Sequence, residues 1–141
     1  MKRKPTYYQS KAPCISGSND KEVFYEARQI FRKYDNKRRL PYARSRYFDG
    51  QKIFLNMFYK HLDEKPEAEH RRRIVFVPCA LDLIKNSKVE PVTPPQHPKK
   101  LPAYYRFQGV SGDNRKFIVQ IMRDKKNNCY FMSCFPVKNF K

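Results

Sequence analysis

No apolar run in this chain approaches the ~18 residues that a membrane-spanning helix needs, and the basic residues are spread along the sequence instead of lining one amphipathic face. No membrane role is therefore expected. The opening MKRKPTYYQSKAPC is basic but leads into no apolar segment, so it does not read as a secretory signal, and a cytoplasmic location is expected. Acidic side chains are scarce: 13 Asp and Glu stand against 31 Lys and Arg, giving a formal charge of +18. A field of that sign draws polyanions, and nucleic acid is the first such partner because each neutralised phosphate releases counterions. The four cysteines, Cys14, Cys79, Cys129 and Cys134, lack a CxxC pair or any spacing typical of zinc, so no metal and no cofactor is expected, and small reduced thiols are.

At 141 residues the chain has the length of one domain. Residues 1–18 have no period and read as a flexible basic arm, with 19–141 as a single domain. From Asn19 the spacing of Val23, Phe24, Ala27, Ile30, Phe31 and Tyr34 predicts a helix that Ser18, Asn19 or Asp20 can cap. The segment NKRRLPYARSRYF is expected to cross the surface extended, because its proline interrupts a helix. Ile53, Phe54, Met57, Phe58 and Leu62 predict a second helix capped by Asp49. In HRRRIVFVPCALDLIKNS, Pro78 either kinks one long helix or sits in the first turn of a shorter one.

Residues 88–102 hold five prolines and form a connector between the helical part, 19–87, and a region of period two, 103–138. There AYYRFQGV, RKFIVQIMRD and CYFMSCFPV, parted by SGDN and KKNN, predict antiparallel strands. The expected fold class is α+β, with N-terminal helices packed on one face of a C-terminal antiparallel sheet of three to four strands. By alternation Phe107, Val119 and Met132 are expected to meet the helices, while Arg106, Gln108, Lys116, Gln120, Ser133 and Phe131 face the open side. One polar face is ordinary for an antiparallel sheet. Donors beside an aromatic ring on so basic a chain nevertheless suit RNA, whose unpaired bases lie on rings while cations hold phosphates.

The run KFIVQIMRDKKNNCYFMSCFP, following N-terminal helices, resembles the phage-associated ribonuclease-like domains grouped with barnase, EndoU, colicin-type toxins and RelE. RYFDGQKIFLNMFYKHL and the RRR…CALDLIKNS helix are similar to a small uncharacterised bacterial and phage family. The first resemblance implies a metal-independent endoribonuclease of toxin type, in which the RNA 2′-hydroxyl attacks its neighbouring phosphate, and an acidic antitoxin or immunity protein as partner. It assigns Arg106 and Lys116 to clamping phosphate, Gln120 and Ser133 to hydrogen-bonding it, and Tyr130 or His97 to proton transfer. The strands hold no His and no Glu, so an obvious acid/base pair is missing; RelE-like toxins rely on Lys, Arg and Tyr instead.

Outside the sheet, Arg38, Arg39, Arg44 and Arg46, interleaved with Tyr42 and Tyr47, read as a nucleic-acid contact strip, as do Arg72 and Arg73 after His70, and Lys125 and Lys126 in the last turn. His61 reads as packing or capping rather than chemistry. The alternative to a ribonuclease is a non-catalytic basic module binding RNA or DNA.

Overall fold

The computed structural model describes residues 4–37, 39–92 and 101–140. The chain forms β1 (Tyr8–Gln9), α1 (Asp20–Arg32), β2 (Tyr42–Arg44), β3 (Lys52–Phe54), α2 (Met57–Asp63), α3 (Glu67–Ile74), α4 (Val77–Asn86), β4 (Ala103–Val110), β5 (Lys116–Arg123) and β6 (Cys129–Pro136). The α+β class stands, but the sheet corrects the expectation. It is curled, with six strands in the order β1-β4-β5-β6-β3-β2, and is mixed, because β1 runs parallel to β4 and β3 parallel to β6. Nor do the helices clearly pack on one face.

The extra strands come from segments read otherwise. Lys52–Phe54 lies where the second helix was expected to begin; Ile53 and Phe54 fit a helical stripe, but two strand partners claim them, and α2 starts only at Met57. Asp49 caps nothing: with Gly50 it takes positive φ in the loop that turns β2 into β3, a conformation Asp and Gly tolerate. Within the segment read as an arm, Tyr8 and Gln9 pair with Gly109 and Val110, and Cys14 and Ile15 join the core. Asp82 on α4 fastens this stretch, accepting from Ser10 Oγ at 2.6 Å, Tyr8 Oη at 3.1 Å and the Lys11 amide at 3.2 Å.

The first helix forms where its capping signal lies, with Asn19 Oδ1 accepting from the Glu22 amide at 2.9 Å. Of the two alternatives at Pro78 the second holds: α3 and α4 are separate helices, and Pro78 sits in the first turn of α4, where its missing N–H costs no bond. The three long strands run as expected, with Arg106 opposite Gln120 and Gln120 opposite Ser133.

A register shift between Gln120 and Ile121 leaves Met132 as an unpaired extra residue in β6. Alternation therefore changes phase within the strand. Cys134 opposite Val119 and Phe131 opposite Ile121 both belong to the core face, and Phe131 is fully buried, stacked on Phe58 at 4.8 Å. The expectation that Phe131 shares the open side with Ser133 is thus overturned by one inserted residue.

Candidate nucleic-acid interface

Residues paired across neighbouring strands share a face, so the register defines two sets. The core set includes Ala43, Ile53, Phe107, Phe117, Val119, Ile121, Phe131 and Cys134, all buried. On the opposite set Arg106, Gln120 and Ser133 form one row across β4, β5 and β6. Beyond Tyr130, β6 has no strand partner other than β5 among the described residues, and α3 approaches there. From α3, Arg73 Nη1 donates to Ser133 Oγ at 2.9 Å, while Cys134 Sγ donates to the Arg73 carbonyl at 3.2 Å on the core side. Two arginines meet at one ring: the Arg73 guanidinium lies 5.1 Å and that of Arg106 5.7 Å from the centroid of Phe135.

Neither arginine has a carboxylate partner among the described residues, whose ion pairs are Arg71–Asp20, Arg72–Glu69 and His61–Glu64. Arg73 Nε is moreover buried without a hydrogen-bond partner. Ser133 is 4% exposed, so its hydroxyl engages Arg73 and does not stand open to solvent. Arg106 is exposed and Gln120 partly so. Chemically, the row offers two unneutralised cations and an amide on one small area, a set suited to a tetrahedral oxyanion.

Not every expected residue converges. Lys116 lies four residues from Gln120 along β5, about 13 Å at strand rise, and its ammonium is 5.7 Å from the ring of Phe140, itself stacked on Tyr7. Tyr130 pairs with Met122 and touches Phe54 at 5.7 Å between ring centroids, away from Arg73. Burial, then the charge of Asp124, raise its pKa, so the phenol holds its proton more tightly. His97 and Arg38 lie outside the described residues.

The wider basic strip divides similarly. Arg44 is exposed and lies 5.5 Å from the ring of Tyr42, with Lys52 at 4.7 Å from the same ring. Tyr47 instead packs on Phe48 and Phe107 and donates to Glu90 at 2.8 Å; burial first, then Glu90, push its pKa up to about 12. Arg46 is exposed and reaches the Asn86 carbonyl, Arg39 is exposed, and Lys125 and Lys126 are exposed in the β5–β6 turn. Arg72 is engaged by Glu69 at 2.9 Å. His70 Nε2 donates to the Lys65 carbonyl at 2.9 Å, and His61 Nδ1 lies 3.5 Å from Glu64.

All four cysteines are buried and free. Cys79 Sγ donates to the Ala12 carbonyl at 3.1 Å, and the mutual influence of Cys14 and Cys79 lowers the pKa of the first and raises that of the second. Among the described residues no three His, Cys, Asp or Glu side chains cluster as metal ligands, and no helix is long and apolar enough to cross a membrane. Sequence reasoning placed Arg73 in a basic run but not beside Ser133, and gave Phe135 no role; no period links α3 to β6. No family model, curated protein or solved structure matches the chain.

Proposed function

We propose that this protein is a cytoplasmic, metal-independent endoribonuclease of toxin type that grips one RNA phosphodiester between Arg73 and Arg106. The observation behind this reading is that both guanidinium groups, unpaired with any carboxylate among the described residues, meet at Phe135 beside Ser133 and Gln120. In the proposed step the 2′-oxygen bonds to the adjacent phosphorus, the bond from phosphorus to the 5′-oxygen breaks, and the products are a 2′,3′-cyclic phosphate and a 5′-hydroxyl. Negative charge gathers on the non-bridging oxygens, where fixed cations are most effective. Arg106 and Gln120 would contact the phosphate, and Ser133 would position Arg73. The row holds no His or carboxylate, so water takes the 2′ proton and supplies one to the leaving oxygen. That leaves charge stabilisation, worth about 10²–10³ in rate per donor, as the main contribution.

The same missing acid/base pair favours a second reading, in which the protein holds RNA or DNA without cutting it. Incubating the protein with total RNA in EDTA separates the two. The first reading expects fragments ending in 2′,3′-cyclic phosphate, lost in the combined Arg73→Ala, Arg106→Ala variant. Retained binding without fragments supports the second, and unchanged cleavage by the double variant sinks this site.

A further inference from the structure

The open face carries a second row that packing does not require. Tyr104 lies opposite Met122, Met122 opposite Tyr130, Tyr130 opposite Phe54, and Phe54 opposite Tyr42, so one line of aromatic and thioether side chains crosses five strands. Each strand's next residue toward the core, such as Ala43, Ile53, Cys129, Ile121 and Ala103, is buried, whereas none of the five in the row is. Tyr104 is 47% exposed. At a strand spacing of about 4.8 Å the row is about 19 Å long. On β4 and β5 it runs two residues, or about 6.7 Å along the strands, from the row of Arg106, Gln120 and Ser133, and on β6 three residues, one of them the unpaired Met132.

We infer that Tyr104, Met122, Tyr130 and Phe54 form a stacking platform for the unpaired bases of a single RNA strand lying across the sheet. This deepens the function proposed above and rests on it, since the neighbouring arginine row supplies the phosphate contact. Unpaired bases present π-faces to rings in a way a duplex does not, which makes the strand single. Charge agrees: Arg106 flanks one side of the row, and Arg44 and Lys52 gather at Tyr42 at its far end. The carboxylate near Tyr130, that of Asp124, is occupied by the backbone N–H groups of Lys126 and Asn128. Rings and a flexible thioether flanked by cations fit nucleobases strung on phosphates better than an apolar protein surface.

The test uses the full chain and a short labelled 2′-O-methyl oligouridylate, which cannot be cleaved by its own 2′-oxygen, with an abasic backbone of equal length and a duplex as comparators. Fluorescence anisotropy at fixed salt should show that Tyr104→Ala weakens the oligouridylate by about 5- to 150-fold. Tyr104→Phe should leave it unchanged, and the abasic strand should bind wild type and Tyr104→Ala alike. Tyr130→Leu, an internal position, should act in the same direction. Equal oligouridylate affinity in wild type, Tyr104→Ala and Tyr130→Leu overturns the platform, as does a duplex that binds as tightly as the single strand. If the abasic strand matches the oligouridylate and Arg73→Ala, Arg106→Ala weakens both, the phosphate site stands and the platform falls. If only the tyrosine variants weaken binding, the platform stands and the phosphate site falls. No binding of any strand overturns both.

Discussion

Arg73 and Ser133 are 60 residues apart in the chain, yet Arg73 Nη1 and Ser133 Oγ are 2.9 Å apart, tying α3 to the free side of β6. With Arg73 Nε already lacking a partner, Ser133→Ala would strip the guanidinium of a second contact. A loss of about 1–3 kcal/mol is expected, seen as a lower urea midpoint at unchanged slope. A double-mutant cycle with Arg73→Ala should return a coupling of about 0.5–3 kcal/mol; additive losses would show that the bond contributes nothing.

The salt dependence of RNA binding counts phosphate contacts. Arg106→Ala should lower the slope of log K against log salt concentration by about 0.7, the value for one phosphate on a single strand. Arg72, engaged by Glu69, should leave the slope unchanged when replaced by alanine. Equal slopes in all three proteins would remove Arg106 from the contact.

Gly109 is a packing requirement. A Cβ there would come within 2.4 Å of Phe117 Cζ and 3.0 Å of Leu83 Cδ1. Phe117 is fully buried and stacked on Phe76 at 5.3 Å, so it has no room to yield. Gly109→Ala should cost about 1–3 kcal/mol, read as a fall in Tm by calorimetry.

Acid should loosen the N-terminal strand through Asp82. Burial raises its pKa, but bonds from Ser10, Asn86, Tyr8 and the Lys11 amide outweigh that and hold it below its ordinary value of 3.8. A depressed native pKa means the stabilisation is complete above the unfolded value, about 3.9, and fades as pH falls through the native one. Asp82→Asn should therefore cost stability at neutral pH and flatten its decline below about pH 4. Urea midpoints across pH check this; parallel curves for both proteins would refute it.

The legible parts of the fold were those where one local rule acts alone. Asn19 and the spacing of Val23 and Ala27 are enough to make α1, and the alternation of Tyr105, Arg106, Phe107 and Gln108 marks β4. Reading failed where two rules fit the same letters. Ile53 and Phe54 satisfy both periods, and long-range pairing with Tyr42 and Tyr130 decided between them. Tyr8–Gln9 is too short to carry a period, so its parallel partner a hundred residues on was invisible.

The candidate site followed the same logic. Arg106, Gln120 and Ser133 were legible as one set because regular pairing keeps them in register. Lys116 shares their face but not their end of the strand, a distance alternation cannot express. Arg73 arrives from a helix, and Phe131 left the set because of an insertion that looks, in sequence, like any other strand residue.

That insertion has a wider consequence. A strand counted in steps of two has only two phases, and Met132 switches β6 from one to the other midway. Without it Phe131 and Ser133 would be neighbours, pairing with Ile121 and Gln120 in plain alternation, so the ring would stay on the core face and the hydroxyl on the opposite one. What Met132 adds to β6 is therefore a local bend and stronger twist at the point where α3 approaches, and not the choice of which side chain faces which way.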